Sequence, residues 1–110
     1  TVIEPQSLGL IPLNIVSQVP KGYMLLVVPR SSTPKKKGLL IPHGIGVIDQ
    51  DYCGEEDELL FQVYNFTKEA VTVSRGERVA QGLVVKIATP TLRQVDKISE
   101  KSRGGIGSTG

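Results

Sequence analysis

Three segments of this chain hold the side chains best suited to bind phosphate or to move a proton. The first is Pro29-Arg30-Ser31-Ser32, where a guanidinium and two hydroxyls follow directly on an apolar run. A planar fork of N–H donors matches phosphate oxygens, although Arg-Ser at a strand end is, taken alone, more often an ordinary exposed turn. The second is Gly46-Val47-Ile48-Asp49-Gln50-Asp51-Tyr52, which sets a carboxylate and an aromatic ring three residues apart at the end of an apolar run. A carboxylate so placed can serve as a general base; the plainer alternative is a turn in which Asp49 or Asp51 bonds its own backbone. The third is the tail, Arg103 to Gly110. Its Gly105-Ile106-Gly107-Ser108-Thr109-Gly110 fits G-x-G-x-x-G in form, but the dinucleotide fingerprint requires a strand before it and a helix after it. What survives is a segment rich in backbone N–H groups and hydroxyls that can fold over phosphates.

Other candidates carry less. His43 is the only histidine, so no histidine pair is available for a metal. A triad drawn from Ser31, His43 and Asp49 lacks a nucleophile-elbow context. Cys53 is alone and can form neither an internal disulfide nor a zinc site. Asn65-Phe66-Thr67 matches a glycosylation sequon but falls at a strand end, where it reads as accidental. Lys35-Lys36-Lys37 reads as a solvated loop.

The elements that must position these groups are short apolar runs rich in valine and isoleucine, punctuated by glycine and proline at intervals of roughly ten residues, the pattern of an all-β sandwich or barrel. Strands are predicted over Leu8–Ile15 and Lys21–Pro29, with Val19-Pro20-Lys21-Gly22 turning between them. A third run, Leu39–Ile48, is interrupted by Pro42, Gly44 and Gly46, as in a bent or edge strand near a functional loop. Glu58–Phe66 is predicted as a strand with apolar residues on both faces, hence buried on both. Val71–Val73 alternates, Ser74-Arg75-Gly76 turns the chain, and Val79–Ile87 supplies the last strand. Leu92, Val95 and Ile98 have helical spacing without convincing caps, so this stretch reads as an arm. Four glycines within Gly104–Gly110 make the end costly to order without a ligand.

Composition bounds the function. At 110 residues the chain is one domain, small enough for oligomerisation to help bury apolar surface. A net charge of +2 with no tryptophan gives no footprint for nucleic acid, and no apolar run approaches the roughly 20 residues that span a bilayer. Thr1-Val2-Ile3-Glu4-Pro5 has no secretory-signal character, so the cytoplasm is the expected location.

Taken in order, the segments resemble four of the five motifs of the homotrimeric dUTP pyrophosphatases. Arg30-Ser31-Ser32 with Lys37-Gly38 resembles the second motif. Gly46 to Tyr52 followed by Gly54-Glu55 resembles the third, Gly76-Glu77-Arg78-Val79-Ala80-Gln81 the fourth, and Arg103 to Gly110 the fifth. The resemblance implies an all-β, jelly-roll-like barrel of the dUTPase type, with a barrel domain over 1–102 and a flexible glycine-rich lid over 103–110. It implies a homotrimer with sites shared between chains, hydrolysis of dUTP to dUMP and pyrophosphate, and Mg²⁺ held by phosphates and water with no direct protein ligand. Such an activity limits uracil incorporation into DNA and supplies dUMP.

By the same resemblance Asp49 is the base that activates water against the α-phosphorus, and Tyr52 packs on the deoxyribose and excludes a 2′-hydroxyl. The hairpin from His43 through Gly46, Val47 and Ile48 holds uracil by its backbone, with His43 as an accessory contact or a structural residue. Arg30, Ser31, Ser32 and Gln81 position the triphosphate, and Arg103, Gly105, Ile106, Gly107 and Ser108 close over the nucleotide. Phosphoryl transfer asks for this set: positioning, charge neutralisation and a group to orient the nucleophile.

Three departures from the family pattern stand out. The first motif has no counterpart, which implies either a longer protein or an impaired activity. Ile106 replaces the usual phenylalanine over uracil, and the spacing Lys101-Ser102-Arg103 leaves either cation to meet the γ-phosphate, Arg103 having the better geometry. Two other readings stay open: a dCTP deaminase relative, and a catalytically weak nucleotide-binding or regulatory trimer.

Overall fold

The computed structural model describes residues 1–107 and 109–110. The chain is all-β apart from one short helix. In order, the elements are β1 (Val2–Ile3), β2 (Leu8–Pro12), β3 (Tyr23–Pro29), α1 (Thr33–Lys37), β4 (Leu39–Leu40), β5 (Gly46–Ile48), β6 (Leu60–Asn65), β7 (Val71–Thr72) and β8 (Ala80–Lys86). They form two three-stranded antiparallel sheets, β2-β6-β4 and β5-β3-β8, and a two-stranded ribbon, β1-β7.

Alternation along the strands builds one core from all three sheets. On β6, Phe61, Val63 and Asn65 point inward; on β3, Leu25 and Val27 do so. With Ile11, Leu39 and Leu59, the apolar residues among them make one hydrophobic cluster, which the ribbon joins through Ile3 and the neighbouring Val73. The other face of β6 was expected to be buried as well, and it is not. Leu60 and Phe66 are exposed, and Leu8, Leu10 and Leu40 on flanking segments are exposed beside them. Period-2 alternation tells which residues share a face but not what covers that face.

The long run Leu39–Ile48 is two strands rather than one bent strand. β4 pairs with β6 in one sheet and β5 with β3 in the other, so the chain crosses between sheets through Pro42 and Gly44. The lysine run is not a loop but the last turn of α1, with Pro34 at its start and Gly38 as a left-handed C-cap at φ 69°. A Cβ on Gly38 would overlap Thr67 Cγ2, so only glycine both ends this helix and lets β4 begin against the β6–β7 loop.

Asn65 holds that loop and the ribbon together. It is fully buried, donates to the carbonyls of Ile3 (3.0 Å) and Glu69 (2.8 Å), and accepts from the Thr67 amide (2.9 Å) and hydroxyl (2.7 Å). The sequon is thus a structural clamp with every amide position used.

Past β8 the chain has neither strand nor helix among the described residues, and Leu92, Ile98 and Ile106 are largely exposed. The radius of gyration, 18.8 Å, exceeds the about 13 Å of a compact chain this long; the extended arm accounts for the difference. No helix of the described residues is long and apolar enough to cross a membrane.

Candidate active site

The phosphate-binding candidates sit where β3 and β8 run out. The ladder between them ends at Pro29↔Ala80. Beyond it the Arg30 amide reaches the Val79 carbonyl at 3.4 Å. Arg30 Nη1 donates to the Arg78 carbonyl (3.4 Å), and Gln81 Nε2 donates to the Pro29 carbonyl (3.2 Å). Arg30, Arg78 and Gln81 rim a cavity of about 390 Å³ with an apolar floor that includes Leu25, Val27 and Val79. An arrangement of two guanidiniums and an amide above a dry floor suits a polyanion. Ser31 and Ser32 lie in the turn between β3 and α1, Ser31 exposed and Ser32 at the helix N-cap position without a side-chain cap bond. Arg78 was missed as a site residue; only the fold shows that its loop closes against Arg30.

The base candidate sits on the opposite edge of the same sheet. β5 pairs with β3 on one side, through Leu25↔Ile48 to Val27↔Gly46, and no strand of the described residues pairs with its other edge. The backbone donors and acceptors of that edge are available to a planar ligand. Gly46 lets β5 sit close against β3, since a Cβ there would stand 3.2 Å from the Val27 carbonyl oxygen and 3.3 Å from Val27 Cβ, with His43 Nε2 at 3.9 Å. His43 and Val47 are exposed.

After β5 the chain turns tightly, with the Tyr52 amide on the Asp49 carbonyl (3.2 Å). Gln50 Nε2 anchors the turn to the Tyr23 carbonyl (2.9 Å), and the Tyr52 hydroxyl donates to the Glu58 carbonyl (3.0 Å). Asp57 accepts from the Gly54 amide (2.9 Å), closing the loop behind. Asp49 and Tyr52 line one cavity of about 240 Å³ with Val47, Ile48, Leu59 and Leu60. Among the described residues the Asp49 carboxylate makes no bond to its own turn; the backbone turn is made without it, which leaves its oxygens for other work.

The structure therefore brings the predicted residues together in two groups rather than one. Leu59 lines both cavities and stands between them. Arg103, Gly105, Ile106 and Gly107 lie in the exposed arm and line neither cavity; Ser108 lies outside the described residues.

Against known proteins, the family model described as dUTPase matches residues 1–110. The deoxyuridine 5′-triphosphate nucleotidohydrolase of Lactococcus lactis is 37% identical over 109 residues, covering 96% of this chain and 72% of that protein. Among solved structures, the dUTPase of Streptococcus mutans superposes with a TM-score of 0.79 at 33% identity, over 83% of this chain and 73% of that one. A dUTPase variant of Staphylococcus bacteriophage 80alpha, solved with dUpNHpp, gives 0.78 at 26% identity, over 100% and 80%. The dUTPase of phage phi11 of S. aureus, whose structure reveals the coordination of a structural Mg(II) ion, gives 0.73 at 26% identity, over 91% and 79%. The family match along the whole length, the relative and the superposed structures converge, and the chain belongs to the dUTPase family.

Proposed function

We propose that this protein hydrolyses dUTP to dUMP and pyrophosphate, with Asp49 activating the water that attacks the α-phosphorus. The observation that carries the reading is the cavity shared by Asp49 and Tyr52 at the end of β5, whose outer edge pairs with no strand of the described residues. A pyrimidine set against the free edge of β5 would bond to backbone from Gly46 to Ile48, its sugar against Tyr52 and its α-phosphate near Asp49. The ring of Tyr52, tethered through its hydroxyl, leaves little freedom to admit a 2′-hydroxyl. Arg30 and Gln81, with Ser31 and Ser32 in the adjoining turn, hold the triphosphate, and we add Arg78 to them.

The donor set fits a metal that arrives on its substrate. Around Arg30 the chain offers N–H donors for phosphate oxygens, and Glu77, the carboxylate among the residues lining that cavity, is engaged by Lys37 and the Ser74 amide; Mg²⁺ characteristically binds through phosphates and water. When bound, the ion neutralises charge on the phosphates. Asp49 takes the proton of the attacking water, and the arginines hold the phosphates in line.

Two further features support a homotrimer with shared sites. The outer face of β2-β6-β4 is apolar and exposed, and the arm carries its apolar residues away from its own barrel. In an assembly the arm, residues 103–110, would act as a lid, with Arg103 on the γ-phosphate and Ile106 over the base.

The direct test is Asp49→Asn. Turnover of dUTP should fall by roughly 10²-fold or more, the range of a lost general base, while dUpNHpp still binds. Turnover within a few-fold of wild type would remove Asp49 from the role. Sedimentation at micromolar concentration should show a trimer, and a monomer alone would refute the shared-site arrangement.

A further inference from the structure

Thr33 is the one buried hydroxyl in the neighbourhood of the phosphate cavity, 3% exposed. Its Oγ1 donates to the Val79 carbonyl at 2.7 Å. That carbonyl also accepts the Arg30 amide, at the longer distance of 3.4 Å. The Thr33 amide in turn donates to the Arg30 carbonyl (2.9 Å), so Thr33 grips Arg30 from behind and the β8 side from across the gap.

The need for such a grip follows from the way the ladder ends. Pro29↔Ala80 is the last rung of the β3–β8 ladder and a non-hydrogen-bonded pair, and past it the backbone link across the gap is the long Arg30 amide to Val79 carbonyl bond at 3.4 Å. Arg30 and Gln81 flank that end, one on each strand. A second contact reinforces the first, one turn along α1. Lys37 Nζ pairs with Glu77 Oε1 (2.7 Å) and donates to the Thr72 carbonyl (3.2 Å), while Glu77 Oε2 accepts the Ser74 amide (2.6 Å). The helix between β3 and β4 is thus sewn to the turn before β8 at both of its ends.

We propose that Thr33, seconded by the Lys37–Glu77 pair, is a positioning residue for the triphosphate: it reinforces the long last backbone bond at the strand end and fixes the separation of Arg30 from Arg78 and Gln81. The inference rests on the assignment of Arg30 and Gln81 to the phosphates made above. Its chemical logic is that phosphate oxygens are held by donors on two strands, and donors act together only if the strands keep their spacing. The uracil edge and Tyr52 belong to other elements and do not depend on this stitch.

The test compares two ligands on three variants. Calorimetry is run with dUpNHpp, which carries the β- and γ-phosphates, and with dUMP, which does not. Thr33→Val keeps the shape and removes the donor; Thr33→Ser keeps the donor. Thr33→Val should weaken dUpNHpp by about tenfold, the scale of one buried hydrogen bond lost, while dUMP stays within about twofold. Thr33→Ser should restore dUpNHpp affinity. In kinetics the loss should fall mainly on KM for dUTP, with kcat changed less. Equal weakening of both ligands, or no weakening of either, overturns the positioning role. Should Thr33→Val fail to fold, Glu77→Ala at the exposed end of the stitch must show the same ligand-selective loss, about two- to threefold for a partly screened pair, and its absence overturns the proposal. A wild-type protein that binds dUMP but not dUpNHpp would instead remove the phosphate assignment of Arg30 and Gln81, and the inference with it.

Discussion

Replacing Asn65 by aspartate exchanges one NH₂ group for an oxygen at the most completely bonded side chain of the core. Its Nδ2 supplies both donors that reach the Ile3 and Glu69 carbonyls. In N65D an ionised carboxylate would face those two carbonyls with lone pairs, and the site is sealed, Asn65 being 0% exposed. Burial and the facing oxygens both push a carboxyl upward from its ordinary value of about 3.9. At neutral pH the largest cost of keeping it protonated is the distance from about 3.9 to 7, roughly three pK units, or about 4 kcal/mol.

The sign is fixed by the direction of the shift. With the folded-state value above the unfolded one, the penalty is absent below the unfolded value, grows as pH rises, and levels off above the folded value. Protonation also restores one O–H donor toward a carbonyl. The Tm of N65D should therefore lie on the order of 15 °C below wild type at pH 7, and the gap should narrow by about half at pH 5. The measurement is calorimetric unfolding of both proteins at one protomer concentration, since assembly makes Tm concentration-dependent. A gap equal at the two pH values, or below about 5 °C at pH 7, would show that the amide is not held as a sealed clamp.

Gly38→Ala should cost about 1–2 kcal/mol for the left-handed backbone and more for the overlap with Thr67 Cγ2. The double variant with Thr67→Ser, which keeps the hydroxyl bonds and removes that methyl, should recover the second part in a thermal-unfolding cycle. Glu77 is held below its ordinary value of 4.5 by its hydrogen bond to Lys37 and by the Ser74 amide. For a depressed carboxylate the stabilisation is complete above the unfolded value and lost as pH falls through the folded one. The Tm offset of Glu77→Gln should thus be constant from pH 8 to 5 and shrink only below about 4.5. Deleting residues 103–110 should reduce dUTP turnover far more than it weakens dUpNHpp, and Ile106→Phe should tighten dUpNHpp by about 0.5–1.5 kcal/mol if a ring stacks on the base; unchanged turnover, or weaker binding, removes the lid assignment.

Most strands were legible because each is a short apolar run between glycine or proline. β3 ends at Pro29 as expected, and β6 lies within its expected span. Two features escaped for identifiable reasons. α1 was hidden by three consecutive lysines, which look like a loop until Pro34 and Gly38 are read as its start and stop. Leu39–Ile48 looked like one interrupted strand because hydrophobicity marks burial and not partnership; its halves serve different sheets. The site showed the same division. Arg30, Asp49, Tyr52 and Gln81 were legible as residue types at turn positions, whereas their grouping into two cavities was not. Arg78 and Thr33 acquire meaning only from the Arg78 and Val79 carbonyls, whose contacts to Arg30 and Thr33 join segments about fifty residues apart in sequence.

The way each segment is held also bears on what the nucleotide must do when it binds. Arg30 and Gln81 lie beside a strand end already stitched by side-chain bonds, and Tyr52 is tied through its hydroxyl and its amide. Groups fixed in advance lose little entropy on meeting their ligand. The arm is the opposite case: Gly104 and Gly107 adopt left-handed φ of 107° and 83°, and its side chains are exposed. Ordering it opposes binding by the conformational entropy of each residue fixed, and charge-assisted bonds from Arg103 to a phosphate, as proposed, would offset that cost. A near cancellation would leave affinity almost indifferent to the arm, while the proposed closed state would keep bulk water, other than the attacking molecule, from the reacting phosphorus. An arm of this composition is therefore expected to act on turnover rather than on affinity, and the stitched strand end on affinity rather than on turnover.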